Sequence, residues 1–294
     1  MTFLRALAPA LILAWCAYLL SGCSMLRLGY GQLDTIAAWM ADDYFDLDAR
    51  QRDEFVKRFE RLHEWHRYEQ LPDYAAFLSQ ARNRVQNGLT RDDGLWFVEG
   101  FRARYRAIAI RASEEAAALL LTITAPQLDT LQRQWDKDNR KYSREYRVAG
   151  SAEDIKRARV RRTLDEVKDW VGSLSYEQEQ RIIGMVNALP MTEPLRYEDR
   201  LRRQREFLQL VAEPGNPEKF AAKLRHWLID WENGRSPEYE RRFSEWLDQR
   251  VQMLVEIDRM LTPAQRTAVL HRLQDYIDDF TKLAERRGAQ AVAH

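Results

Sequence analysis

A five-residue pattern occurs at four places in the chain: an aliphatic residue, a capping residue, two further residues and a glutamine. Asp, Ser or Thr at the N-cap of a helix accepts a hydrogen bond from the amide three residues later, and Gln at that third position reaches back to the N-cap amide. Each occurrence therefore predicts the first turn of a helix. The four are Leu47-Asp48-Ala49-Arg50-Gln51, Ile123-Thr124-Ala125-Pro126-Gln127, Leu174-Ser175-Tyr176-Glu177-Gln178 and Leu261-Thr262-Pro263-Ala264-Gln265.

Between these starts the apolar residues recur with the 3.6-residue period of an amphipathic helix. Charged residues make up 31% of the chain, and Gly (12) and Pro (9) are sparse. No run of alternating Val, Ile and Thr indicates a strand. The sequence therefore predicts an all-α fold, an elongated multi-helix bundle.

The order of the motifs predicts two related helical halves. Each half has a capped Gln helix, a Leu-Pro step, an aromatic-rich stretch and a second Gln helix. The steps are Leu71-Pro72 and Leu189-Pro190, and we expect each to end a helix because the residue before proline is pushed out of the helical region. With the break at Ala149-Gly150-Ser151, the halves are 33–148 and 149–287, and 288–294 is predicted to be a disordered tail.

The N-terminus has the parts of an export signal. Arg5 is followed by an apolar run from Ala6 to Leu20, which is shorter than the roughly 20 residues that span a bilayer. The run ends in Leu20-Ser21-Gly22-Cys23, which closely resembles the bacterial lipobox. That resemblance implies cleavage of residues 1–22 and acylation of the Cys23 thiol; the alternative is an ordinary signal peptide with an incidental cysteine.

The lipobox resemblance also implies a location. Ser24, rather than Asp, after the cysteine implies transfer to the outer membrane, with the body on the periplasmic face. Stable anchoring needs at least two acyl chains, which the lipoprotein modification supplies. Residues 23–32, with Gly29 and Gly31, are predicted to be the lipidated cysteine and a short tether.

The charge balance excludes one class of partner. Removal of residues 1–22 takes away Arg5 and no acid, which leaves 45 basic and 45 acidic residues. A neutral body argues against a nucleic-acid partner, which needs a basic excess, and against a polybasic membrane surface.

His63-Glu64-Trp65-His66 is the strongest candidate for a metal site. The zinc-protease motif needs two His residues four apart, and here they are three apart. His63 and His66 could still share a helix face around a metal or a proton; the alternative is packing, because His66 continues the apolar stripe of Phe55, Phe59 and Leu62.

No catalytic residue is predicted. Phosphate-binding glycine loops and Gly-x-Ser-x-Gly elbows are missing, and Cys16 would be removed with the signal. The sequence therefore predicts neither an enzyme nor a metal site, and no cofactor apart from the covalent lipid on Cys23.

The eight tryptophans after the signal suggest an interaction surface, because Trp, Tyr and Arg are over-represented at interfaces. Trp227 and Trp231 have the spacing of one helix face, and Trp246 lies in the next predicted helix. These three are the candidate partner-binding residues. The alternative is that they pack in the core.

Two further resemblances bear on function. Leu261 to Gln265 matches the Leu-Thr-x-x-Gln signature of the small Spy-type periplasmic chaperones, and Ile123 to Gln127 is a near match; capping alone is the alternative explanation. The whole chain resembles a family of bacterial lipoproteins of unknown function, through the lipobox, Leu33-Asp34-Thr35 with Trp39, and His63-Glu64-Trp65-His66-Arg67-Tyr68 before Leu71-Pro72.

The sequence thus predicts a lipid-anchored, non-catalytic envelope protein that binds other polypeptides in a chaperone-like way. The alternative is a structural adaptor of one dedicated envelope complex. An enzyme or a metal-binding protein is a third, weaker reading, and the oligomeric state is left open.

Overall fold

A computed structural model describes residues 25–285, and these form an all-α bundle, as predicted. The signal peptide 1–22, the lipobox, Cys23 and the tail 288–294 lie outside the described residues. Within the described residues, no helix is sufficiently long and apolar to cross a membrane. The helices are α1 Met25–Gly31, α2 Leu33–Phe45, α3 Ala49–Trp65, α4 Leu71–Asn87, α5 Arg91–Leu120, α6 Ala125–Tyr146, α7 Ala152–Val171, α8 Tyr176–Ala188, α9 Glu193–Ala212, α10 Pro217–Ile229, α11 Pro237–Arg259 and α12 Pro263–Glu285.

All four predicted Gln caps are confirmed. In each, the backbone N–H of the N-cap residue donates to the Gln Oε1, at distances between 2.9 and 3.1 Å. Thr90 with Asp93 and Ser151 with Asp154 form the same box with an acid in place of the glutamine. Six helix starts are thus fixed by residues three apart in the sequence.

The four glutamines also join in two pairs, which no local pattern predicts. Gln51 and Gln127 donate to each other's Oε1 (3.2 and 2.6 Å), and each amide also donates to the carbonyl two residues before the partner's N-cap, at Thr122 and Asp46. Two helix N-termini are therefore bound to each other through one buried amide pair.

The second half repeats this arrangement. Gln178 and Gln265 exchange hydrogen bonds of 2.8 and 3.0 Å, and their amides donate to the carbonyls of Met260 and Ser173. These carbonyls again lie two residues before the partner's N-cap. The equivalent pairs, one in each predicted half, are the structural counterpart of the repeat in the sequence.

The halves do not have separate cores, however. One core cluster joins Ala117 and Leu131 of the first half to Phe207 and Phe220 of the second. The most extensive helix packing is between α4 and α12, followed by that between α5 and α10. The division near residue 149 therefore separates two similar stretches of sequence, but helices from both stretches pack into one core.

The expectation that Leu71-Pro72 ends a helix is wrong. Residues His66–Gln70 form a π-helical turn that joins α3 directly to α4, and the Leu71 N–H donates to the His66 carbonyl. The wider turn accommodates Pro72, whose missing N–H would break an α-helical ladder. At the second step the expectation is confirmed, because Leu189 is extended (ψ 139°) and α8 ends at Ala188.

Most of the predicted tether, residues 23–32, is helical. Residues Met25–Gly31 form α1, despite Gly29 and Gly31. This helix is held to the body by an ion pair of 2.9 Å between Arg27 Nε and Asp279 and by the Tyr30 hydroxyl, which lies 2.9 Å from His66 Nδ1. Long-range contacts therefore override the low helix propensity of glycine.

Candidate functional site

An apolar groove between five helices is the candidate functional site. Its volume is about 590 Å³, and α4, α5, α7, α11 and α12 contribute to its wall. This volume falls in the usual range for ligand pockets, roughly 300–1,000 Å³. Aromatic and aliphatic side chains dominate the lining, among them Phe97, Phe101, Val167, Trp170, Trp246 and Leu254.

Several of these lining side chains are exposed to solvent. Phe101 is 63% exposed, Trp170 40% and Leu254 38%. Apolar surface in water carries an unfavourable free energy of about 25 cal/mol per Å² relative to its burial. Contiguous exposed apolar patches on soluble bodies mark interaction sites, and this groove is therefore suited to bind an apolar partner.

Two glycines bring the groove-forming helices close together. A Cβ added to Gly94 would lie 2.6 Å from Val251 Cγ1, so α5 and α11 approach at a distance that only glycine permits. A Cβ at Gly100 would overlap the ring of Phe77, with Cζ at 2.6 Å, so α5 and α4 are equally close. Phe97 and Phe101, which lie next to these two glycines on α5, contribute their side chains to the wall of the groove.

Arginines surround the one predicted tryptophan that lines the groove. The guanidinium carbons of Arg196 and Arg250 lie 5.1 and 5.7 Å from the centroid of Trp246, within cation–π distance. Burial lowers the pKa of Arg250, while Glu166, 3.8 Å away, acts in the opposite direction. Arginine stays charged under these conditions, so the groove has a partly desolvated positive charge in an apolar wall.

The structure does not bring the three candidate tryptophans together. Trp227 packs on Phe207 with ring centroids 5.0 Å apart, in a core cluster whose residues do not line the groove. Trp231 follows the end of α10 at Ile229, so the helical spacing from Trp227 does not apply to it. It lies under the Arg235 guanidinium at 4.3 Å and lines a separate, more polar cleft with Tyr105.

The groove residues other than Trp246 were missed by sequence reasoning. Phe101 and Trp170 are large apolar residues within helical segments, and from the sequence they resemble core residues. Their exposure depends on how α5 and α7 are separated in the fold, which no local pattern encodes. The weak signal was the pair of glycines at 94 and 100 inside a long helix, because a glycine in a helix interior often marks a close backbone approach.

His63 contacts both of the first two helices, and His66 contacts the first of them. His63 is buried, and its Nδ1 lies 2.6 Å from Asp34 Oδ1. Burial, with a smaller contribution from His63, lowers the pKa of His66 to about 4, and Nδ1 of this ring is hydrogen-bonded to the Tyr30 hydroxyl at 2.9 Å. Burial also raises the pKa of Tyr30 to about 12. The two imidazoles therefore hold α1 and α2 on α3.

In residues 25–285 no three His, Cys, Asp or Glu side chains are grouped so that they could hold a metal ion. Glu69, three residues beyond His66, lines a different polar cleft with Arg61 and Arg111.

Comparison with known proteins gives one finding about family. A model of a family of unknown function, DUF6279, matches residues 43–240, which is more than half of the chain and includes α3 to α10. No match was found among curated proteins or solved structures. The resemblance to a family of unknown function is thereby confirmed, and its description as a lipoprotein family stays a prediction. The chain belongs to the DUF6279 family.

Proposed function

We propose that this chain is a lipid-anchored envelope protein that faces the periplasm and binds apolar segments of other polypeptides without catalysis, in a chaperone-like way. The groove lined by Phe101, Trp170, Trp246 and Leu254 is the observation that carries the proposal. Exposed aromatic and aliphatic side chains on facing helices are the usual receptor for an amphipathic helix, which inserts its apolar face.

The lipid anchor is supported by the lipobox and by the position of α1. Only Ser24 separates Cys23 from the first residue of α1, and α1 is fixed to α12 by Arg27 and Asp279. An acyl chain on Cys23 would therefore hold the body within one or two residues' length of the bilayer, about 3.3–3.6 Å per residue. Clients would be bound close to the membrane surface.

A test of the anchor changes Cys23 to Ala. We expect the variant to leave the membrane fraction of cells and to appear in the soluble fraction of the envelope, because two or more acyl chains supply the stable attachment. Ser24→Ala is the matched control and should stay with the membrane. Recovery of the Cys23→Ala protein in the membrane fraction at the wild-type level would contradict the anchor.

A test of polypeptide binding uses the chain from residue 23 onward at near-stoichiometric ratio to an unrelated, aggregating protein. We expect the wild type to suppress light scattering, and Phe101→Ser with Leu254→Ser to lose most of that suppression. Replacing two partly exposed apolar side chains removes about 1.5–3 kcal/mol of burial on binding for each, which corresponds to at least a tenfold loss of affinity for each.

Tyr176→Ser is the control for this experiment, because Tyr176 is 77% exposed and does not line the groove. The control should suppress aggregation as the wild type does. A wild type that leaves scattering unchanged would rule out the chaperone-like activity.

The dedicated adaptor is the second candidate, and it shares the same groove. A photo-crosslinker placed at Phe101 in cells distinguishes the two. A chaperone gives many crosslinked products of different mass, whereas an adaptor gives one dominant product.

A further inference from the structure

The outward face of the first two helices is a second exposed apolar surface, separate from the groove. Four of the ten large apolar side chains that are exposed among residues 25–285 lie within α1 and α2: Leu28 (53%), Ile36 (43%), Trp39 (69%) and Met40 (47%). We call these four side chains the N-terminal apolar face. Such a concentration in about a dozen residues is unusual for isolated surface apolar residues.

The four side chains share one side of nearly continuous helix. Gln32, between α1 and α2, has φ −107° and ψ 7°, and its carbonyl accepts the Ile36 N–H at 3.0 Å. With about 100° per residue, Leu28, Ile36, Trp39 and Met40 fall within roughly a third of the circumference. The face therefore presents one apolar stripe and not scattered residues.

The opposite side of the same helices carries the polar contacts. Arg27 pairs with Asp279, Tyr30 with His66, Asp34 with His63, and the Tyr44 hydroxyl donates to Asp138 at 2.5 Å. These contacts orient the helices, so that the apolar stripe is directed away from the body. In α2 no side chain is buried.

The stripe has almost no charge, although 31% of the chain is charged. From residue 28 to residue 40 the single ionisable side chain other than Tyr30 is Asp34, which is engaged by His63. Because this stretch has no Lys or Arg, we expect its binding to a bilayer not to depend on anionic lipids. Trp at such a position is characteristic of the boundary between headgroups and acyl chains.

We infer that the N-terminal apolar face lies in the interface of the lipid bilayer, with Trp39 at the headgroup boundary. The inference rests on the proposed anchor and extends it, because Cys23 lies two residues before α1 and its acyl chains would bring this face to the bilayer. The lipid chains and the stripe then act together as two attachment points. One attachment point would let the body rotate, and two fix its orientation.

The test measures partitioning of the non-lipidated chain, residues 23–294 with Cys23→Ala, onto phosphatidylcholine vesicles. We expect measurable sedimentation with vesicles that is insensitive to salt. The Ile36→Gln, Trp39→Gln double variant should partition at least tenfold less, since two exposed apolar side chains no longer enter the interface. Tyr176→Ser, at a site on α8 that is 77% exposed, should partition as the wild type does.

A second readout reports contact independently of affinity. Bromine atoms on the acyl chains quench a nearby indole, so part of the tryptophan fluorescence should fall with brominated vesicles. Trp39→Phe should keep the partitioning and lose that part of the quenching. Because Ile36 and Trp39 are exposed and no side chain of α2 is buried, these variants should unfold at the wild-type temperature.

Several outcomes would overturn the inference. Equal partitioning of wild type and double variant would do so, as would an absence of quenching at Trp39. Self-association that the double variant abolishes would assign the face to a second copy of the chain. The anchor itself is judged separately by the fractionation of Cys23→Ala in cells, so vesicle binding without acylation would leave this inference standing while the anchor failed.

Discussion

Replacing Glu193 with glutamine is expected to lower the free energy of unfolding by about 3–5 kcal/mol, as the loss of one partner of a buried ion pair does. Arg159 Nε and Nη2 donate to the two Glu193 oxygens at 2.7 and 2.6 Å, and both side chains are 6% exposed. Glutamine accepts one of these bonds and turns an N–H group toward the other. Arginine cannot release its proton, so an uncompensated charge stays buried.

The pair has a structural role beyond its own energy. The Arg159 guanidinium also donates to the carbonyls of Val186, Leu189 and Pro190, at 3.0–3.4 Å, and so satisfies the C-terminal end of α8. On α7, Thr163, Glu166 and Trp170 follow Arg159 at helical spacing and line the groove. The ion pair therefore fixes the helix that forms one wall of the groove.

The effect should depend on pH in a defined direction. Burial alone would raise the pKa of Glu193, but the hydrogen bonds and charge of Arg159 outweigh it and hold the pKa below its ordinary value. A carboxyl with a lowered folded-state pKa contributes stability that is fully present above its unfolded pKa, about 4.3, and is lost as the pH falls through the folded pKa. The difference in the free energy of unfolding between wild type and Glu193→Gln should therefore become smaller as the pH is lowered from 7 to 3.

Urea unfolding followed by circular dichroism at each pH measures this difference. Glu238→Gln is the matched control, because Glu238 pairs with Arg242 at 3.0 Å on the exposed face of α11. The Glu238→Gln substitution should lower the free energy of unfolding by no more than about 1 kcal/mol at every pH. A Glu193→Gln protein as stable as that control would show that the buried pair is not a major source of stability.

The sequence predicted the features that depend on neighbouring residues. The Gln and acid caps are formed by residues three apart, so Asp48, Thr90, Ser151 and Ser175 could each be identified as an N-cap from the local pattern. Periodicity identified the long helices for the same reason. The all-α class follows from these local signals.

The features that the sequence did not predict depend on distant contacts. The π-turn at His66–Gln70 and the helical form of Met25–Gly31 are fixed where α1, α3 and α12 meet, through residues that are tens to hundreds of positions apart. Trp170 could not be distinguished from a core residue, because its exposure depends on the separation of α7 from α5. The outward orientation of Ile36, Trp39 and Met40 in α2 likewise depends on contacts with distant helices.

The glutamine pairs depend both on a local pattern and on distant contacts. The cap formed by Gln178 is local, whereas its hydrogen bonds to Gln265 and to the Met260 carbonyl join residues more than 80 positions apart. Gln178→Ala should lower the free energy of unfolding by about 2–4 kcal/mol, because the cap contributes about 1 kcal/mol and each buried group left unpaired costs about 1–3 kcal/mol.

Asp154→Ala separates the local part of this effect from the long-range part. Asp154 occupies the same third position of a capping box, after Ser151, but it is exposed and its other side-chain partner is Arg157 on the same helix. Its replacement should cost only the cap, about 1 kcal/mol. The excess cost of Gln178→Ala over Asp154→Ala then measures the contacts to the second helix.

A double-mutant cycle completes the measurement. Once Gln178 is alanine, Gln265 has already lost its partner, so Gln265→Ala should cost less than it does alone, with a coupling energy of about 0.5–3 kcal/mol. The same cycle on Gln51 and Gln127 should give a similar coupling, because those side chains make the equivalent bonds. If the losses in the free energy of unfolding were additive at both pairs, each glutamine would act only as a separate helix cap. The helix N-termini would then be held together by apolar packing alone.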